Sequence, residues 1–196
     1  MHHSIRIVAA ALLIGACSSP APQAAPAPTA APPAAAPVVR RAARSAASFR
    51  TATATLRDAA GVRVGTATFT DSYAGLIVAG SVEGLGIGAH GIHIHETGRC
   101  EAPFATAGGH FNPTKKHHGF KNAEGPHMGD MPNIDVPASG TLRFEFLLPD
   151  VSLRGPNALL DADGAAIVVH ATRDDYLTDP AGNSGARLAC GVINAN

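Results

Sequence analysis

Tryptophan is absent from this 196-residue chain, and aromatic residues make up only 5% of it. Aromatic packing therefore contributes little to any core. No apolar run reaches the roughly 18 residues needed to span a bilayer, so the sequence does not read as an integral membrane protein. An excess of one charge is also missing: 15 basic residues face 15 acidic ones. Formal neutrality removes the global electrostatic argument for binding nucleic acid. A convincing amphipathic helix is lacking, and 21 Gly with 15 Pro punctuate too often for a long-helix protein. Cysteine is scarce at three residues, whereas histidine is plentiful at ten.

The composition is not uniform along the chain. Residues 20–37 are almost wholly Ala and Pro. Such a tract buries too little side chain to fold, and its prolines favour extended polyproline II. It reads as a linker over 17–47, closed by Arg40, Arg41 and Arg44. The domain predicted over 48–196 then holds 11 basic and 15 acidic groups, a formal charge of −4. Its 149 residues match a single domain.

The chain opens with His2, His3 and Arg6, then the apolar run 7–14, then Gly15-Ala16-Cys17. A basic start, a short apolar run and small residues form a secretory leader, read here as 1–16. Ile14-Gly15-Ala16-Cys17 resembles the bacterial lipobox, in which Cys17 carries lipid after cleavage. An ordinary leader cut later in the Ala-rich tract is the alternative. Three cysteines in an exported chain leave one unpaired. With Cys17 lipidated, Cys100 and Cys190 can pair in an oxidising compartment. The expected location is the periplasm, with membrane attachment only through that lipid.

From Ser48 onward, short runs alternate with turn residues. Strands are predicted over 49–57, 62–70, 76–83, 89–95, 141–148, 165–170 and 187–193, with no helix. This pattern indicates an all-β sandwich or barrel. Two long stretches, 96–140 and 171–185, carry no strand pattern. Loops of that length in a compact domain are usually functional.

His93 and His95 end a predicted strand. Residues i and i+2 share one face about 7 Å apart, so both imidazoles can converge on one ion. Ile94 points the other way, into a core. In the following stretch, His110, His118, His127 and Asp130 offer three nitrogens and one oxygen. That set suits a closed, tetrahedral, structural zinc. His170 ends another strand and can join His93 and His95; all-imidazole coordination suits copper.

The ordered motifs His93-Ile94-His95, Gly109-His110-Phe111-Asn112-Pro113, His118, His127 and Asp130, Val168-Val169-His170, and Gly185 to Ile193 make the chain similar to bacterial Cu/Zn superoxide dismutases over residues 50–194. The resemblance implies an eight-stranded Greek-key β-sandwich or barrel with two long functional loops. It implies copper on His93, His95, His110 and His170, and zinc on His110, His118, His127 and Asp130, one of each ion per subunit. His110 would bridge the two ions, Arg187 would attract superoxide, and Asp174 would orient His93 and His118. Cys100 and Cys190 would form the family disulfide. Members of the family include monomers and dimers, so a homodimer is allowed.

Other residues read more plainly. His2 and His3 leave with the leader, and His90 is an ordinary polar residue. His117 competes with His118 by a single position. Lys115, Lys116 and Lys121 are solvated charge that can also draw anions inward. Tyr176, Phe111 and Phe144 are packing residues. The rival function is a metal-binding or metal-buffering protein on the same fold. Arg187 discriminates the two, since storage needs no anion guide.

Overall fold

The computed structural model describes residues 49–196. The leader, Cys17 and the linker lie outside them. Ten strands and one 3-10 turn form the domain: β1 Thr51–Asp58, β2 Arg63–Ser72, β3 Gly75–Glu83, β4 Gly88–His90, β5 Ile92–His95, β6 Ile134–Val136, β7 Thr141–Leu148, β8 Ala166–His170, β9 Arg187–Val192 and β10 Asn194–Ala195, with the turn at Ala105–Ala107. Eight strands make one antiparallel sheet in the order β5-β8-β9-β1-β2-β3-β7, with β10 added to β1. The sheet curls into a half-barrel. The chain leaves β3, crosses to β5 at the far end, returns to β7 beside β3, and crosses again to β8. These crossings are the expected Greek-key connections.

Period-2 alternation builds the core. Ala52, Ala54 and Leu56 of β1 are buried, as are Leu76, Val78 and Val82 of β3. Between Val78 and Val82 the inward position is Gly80, and the Phe144 ring fills the space it leaves. Strand β8 is buried at all five positions. Ile167 and Val169 face the main core, while Ala166 and Val168 face a smaller cluster with Phe104, Ala107 and Cys190. Burial on both faces is why this strand reads as a continuous apolar run.

The predicted strand over 89–95 is two strands in two sheets. Gly91 separates them: its N–H donates to the Thr172 carbonyl and its own carbonyl accepts from His170. A Cβ at Gly91 would sit 2.9 Å from Cβ of Ser184. Strand β4 turns away to pair with β6, which lies inside the stretch 96–140. The short β6 and β10 have too few residues to show a period.

Within the stretch 96–140, residues 109–111 and 129–130 lie along β5 as a seam. Glu96 N–H donates to Gly109, Phe111 N–H to Ile94, and Ile94 N–H to Gly129, at 3.0, 2.8 and 2.9 Å. Cys100 and Cys190 are bonded, with Cα atoms 5.6 Å apart. This ties the same stretch to β9 and closes a loop that chain-entropy models value at about 4–5 kcal/mol.

At the seam, a Cβ on Gly129 would lie 2.4 Å from the Ile94 carbonyl oxygen. Gly129→Ala should lower the unfolding free energy of the metal-free protein by about 1–3 kcal/mol, as overpacking does. Gly86→Ala, where the nearest side-chain atom would be 3.9 Å away, should cost much less. Urea denaturation of both variants checks this, and an equal loss at the two positions contradicts the seam.

Candidate metal centre

Strand β5 sends Ile92 and Ile94 into the core and His93 and His95 to the opposite face. That face is also buried, and the seam runs along its edge, where His95 bridges to His110 and His93 to Asp130 along the backbone. His170 arrives from β8, the partner of β5, just past an irregularity between Val169 and His170. Strand pairing and the seam thus deliver His93, His95, His110 and His170 to one buried volume. One ring nitrogen from each lies within 4.8 Å of the others.

Each of these rings is held by one nitrogen and presents the other. His93 Nε2 donates to Asp174 Oδ2 at 2.8 Å, His95 Nδ1 to the Gly108 carbonyl at 3.0 Å, and His110 Nδ1 to Asp130 Oδ1 at 2.8 Å. His93 Nδ1 and His110 Nε2 are buried with no hydrogen-bond partner. His95 Nε2 and His170 Nε2 face each other at 3.4 Å. Bare lone pairs pointing at one another in a dry site are costly unless a cation lies between them. The donor set therefore fits a metal ion accepting several imidazole nitrogens.

The second group, His110, His118, His127 and Asp130, is gathered by loop 108–130. Asp130 Oδ1 lies 2.8, 3.1 and 3.4 Å from Nδ1 of His110, His118 and His127. Ligands about 2.0–2.1 Å from a tetrahedral zinc stand about 3.3–3.4 Å apart, so these separations are close to an assembled site. Asp130 Oδ2 points outward and accepts the backbone N–H groups of Gly119 and His127. His118 Nε2 donates to Asp174 Oδ1 at 3.0 Å. Asp174 thereby touches one ring of each group.

Protonation follows from these contacts. Burial lowers the pKa of His95 to about 2 and that of His170 to about 3. Burial lowers His110 to about 4, although the hydrogen bond to Asp130 opposes it. All three are neutral at pH 7, the form that binds metal. His118 differs. Burial pulls it down as well, but hydrogen bonds to Asp130 and Asp174 outweigh this and raise it to about 9. Burial would raise the carboxyls of Asp130 and Asp174, yet the histidine hydrogen bonds hold both well below the usual carboxylate range.

Beside the first group opens a cleft of about 420 Å³ lined by His95, His110, His170, Glu96 and Arg187 among others. Arg187 begins β9. Its guanidinium donates to the carbonyls of Phe104 and Gly108 at 2.5 and 2.6 Å. Both carbonyls belong to the stretch that the disulfide fastens to β9. The side chain is thus held in place by backbone rather than by a carboxylate, and its charge is left unneutralised.

The structure separates the adjacent pair His117 and His118. His118 is fully buried, whereas His117 is exposed between Glu124 and Asp179. His90, read from the sequence as an ordinary polar residue, is not a surface one. It is buried, and its two nitrogens lie 2.8 Å from the carbonyls of His170 and Gly86. It stands outside both histidine groups; its spacing carried no signal, because its partners are backbone atoms. Lys115, Lys116 and Lys121 are exposed and do not line the Arg187 cleft. Phe111 is core, and Phe144 packs partly buried against it. Tyr176 packs on Phe120.

Residues 63–193 match the family model described as copper/zinc superoxide dismutase (SODC). The chain is 44% identical over 137 residues to superoxide dismutase [Cu-Zn] 1 of Aquifex aeolicus, covering 68% of this chain and 81% of that one. It is 43% identical to the Caulobacter vibrioides superoxide dismutase [Cu-Zn], covering 72% and 84%. Among solved structures it resembles a SOD-like protein from Bacillus subtilis, with 42% identity, a TM-score of 0.69, and coverage of 71% and 96%. It also resembles the Cu/Zn superoxide dismutase of Brucella abortus, at 30% identity, TM-score 0.61, and coverage of 74% and 99%. Two adjoining histidine groups, an arginine-lined cleft and this match over most of the domain lead to one conclusion: the chain belongs to the copper/zinc superoxide dismutase family and is an oxidoreductase that uses copper and zinc.

Proposed function

We propose that His93, His95, His110 and His170 hold copper, that His110, His118, His127 and Asp130 hold zinc, and that the cleft admits superoxide for dismutation to O₂ and hydrogen peroxide. The observation that carries this is the pair of buried, unpartnered nitrogens, His93 Nδ1 and His110 Nε2, inside an all-imidazole group. Copper supplies one-electron redox chemistry when bound, and zinc supplies a fixed charge that organises the loop. His110 belongs to both groups through its two nitrogens. Its Nδ1 faces Asp130 in the second group and its unpartnered Nε2 lies in the first, so Nε2 is the atom that would take up a proton and pass it to the departing peroxide. Two protons and two superoxide anions give one O₂ and one H₂O₂. His95 and His170, neutral through burial, stay available as ligands without competing for that proton. Arg187 draws the anion in and orients it.

The folded part carries −4 by formal count and repels an anion overall. A local positive cleft must counter this, and such clefts raise association rates by roughly 10–10³. Arg187→Glu should leave copper and zinc content unchanged and lower the dismutation rate more than about tenfold. Salt should slow the wild type, since charges more than about 8 Å apart are screened at physiological ionic strength. A wild type that binds both metals without dismutating supports the metal-buffer alternative.

Proton linkage gives a second test. Below pH 6.5 the unfolded chain protonates its histidines, while folded His95, His110 and His170, at about 2, 4 and 3, do not. Stability of the metal-free protein should fall with pH there, by at most about 4 kcal/mol per unit for three groups. The His118 contribution is complete below about 6.5 and is lost as pH rises through about 9. Urea midpoints of the metal-free protein should therefore peak near pH 6.5 and fall on both sides; a rise from pH 6.5 to pH 5 contradicts the assignment.

Anchoring is part of the same proposal. Gly15-Ala16-Cys17 and the linker fit a lipoprotein held on the periplasmic side of a bacterial membrane. Cys17→Ser should shift the protein from the membrane fraction to the soluble fraction or to an uncleaved precursor, without changing the activity of the folded domain. A wild type found wholly soluble and beginning beyond Ala30 overturns this reading.

A further inference from the structure

Asp174 joins the two histidine groups, yet its own placement depends on residues that have so far had no part in the site. It is 1% exposed. Its backbone N–H donates to Asn133 Oδ1 at 2.8 Å, and its carbonyl accepts from Asn133 Nδ2 at 2.9 Å. The Asn133 amide thus pairs with the Asp174 peptide groups as a neighbouring strand would. Asn133 stands one residue before β6 and so rests on the β4–β6 ladder. Tyr176 completes the ring: its N–H donates to Asp174 Oδ1 at 2.7 Å, and its hydroxyl accepts the Asn133 backbone N–H at 2.6 Å.

Tyr176 is itself fixed. It adopts φ 66°, in the left-handed region. Its carbonyl accepts from Lys121 N–H at 2.8 Å. A Cβ on Gly119 would fall 2.1 Å from that carbonyl oxygen, so only glycine admits the contact. The Phe120 ring packs 5.5 Å away. Five hydrogen bonds therefore hold Asp174, two toward the rings and three toward Asn133 and Tyr176.

We propose that Asn133 and Tyr176 are positioning residues which, through Asp174, set the ring orientations of His93 and His118 and so tune both metal sites together. A carboxylate can serve two rings 5.5 Å apart and nearly perpendicular, at 86°, only if its plane is fixed. The Asn133 amide fixes the peptide that carries it, and the Tyr176 N–H fixes the oxygen shared with His118. Changes behind metal-ligating histidines typically cost 10–100-fold in metal affinity. The proposal rests on the ligand assignment made above.

The test uses the full chain carrying Asn133→Ala, Asn133→Asp or Tyr176→Phe. Three quantities are read: zinc affinity of the copper-free protein by chelator competition, the Cu(II) EPR spectrum of the loaded protein, and the urea midpoint of the metal-free protein. Asn133→Ala should weaken zinc about tenfold or more and shift the EPR parameters, because His93 turns with Asp174. Asn133→Asp keeps an acceptor for the Asp174 N–H but sets an oxygen against its carbonyl, and should match Asn133→Ala. Tyr176→Phe removes one oxygen and keeps the ring on Phe120; it should shift both metal readouts in the same direction, by less. If an Asn133 variant fails to fold, Tyr176→Phe decides alone. A lower urea midpoint with unchanged zinc affinity and EPR spectrum overturns the proposal and leaves these residues merely structural. Asp130→Ala is the control: if it binds zinc as tightly as wild type, the ligand assignment fails, and the positioning proposal falls with it.

Discussion

Six imidazoles share one buried volume, and the rest of the structure answers to that crowding. Centroids of neighbouring rings lie between 4.0 Å, for His93 and His110, and 6.1 Å, for His110 and His170. Neighbouring rings at such distances cannot all carry a proton, because like charges in a dry site repel strongly. Two buried carboxylates, Asp130 and Asp174, are the counterweight. They place negative charge on the side of His118 and leave the other side, with His95 and His170, without a buried carboxylate. One half of the site is thereby built to hold a fixed charge and the other to remain neutral. That division is already present in the protein's own atoms.

Much of this was legible in sequence, for reasons that can be named. The i, i+2 spacing of His93 and His95 fixes them on one face of a strand, and the apolar Ile92 and Ile94 fix which face. The strand predicted over 165–170 is found at Ala166–His170. The gathering of His110, His118, His127 and Asp130 was legible from their donor types and strengthened by resemblance, not from periodicity, because a loop has no period. The break at Gly91 was missed, since a glycine within an apolar run has several meanings. His90, Asn133 and Tyr176 were invisible for a common reason. The bonds that place them run mainly to backbone carbonyls and N–H groups, and backbone atoms leave no trace in the sequence.

Family membership and physical reading support one another without being interchangeable. The family model covers 63–193, and says nothing of how Arg187 is held. The structure supplies that: two carbonyls from the disulfide-bound stretch receive the guanidinium. A free arginine would sample many rotamers at an entropic cost of about 2 kcal/mol. Here the backbone has already met that cost, and the charge faces the cleft in a single orientation.

The way residues 109–111 and Gly129 lie along β5 has a consequence for the molecule in company. A sheet has two ends, and each offers unpaired backbone to other chains. At one end, among the described residues, β7 pairs only with β3; its outward Arg143 and Glu145 discourage a stranger from adding on. At the other end β5 carries Ile92 and Ile94 and no such charges, but its backbone is occupied by its own loop. The loop that gathers the histidines is thus also a guard against strand-to-strand aggregation. Its backbone hydrogen bonds at Glu96, Ile94 and Phe111 keep the more adhesive of the two edges covered.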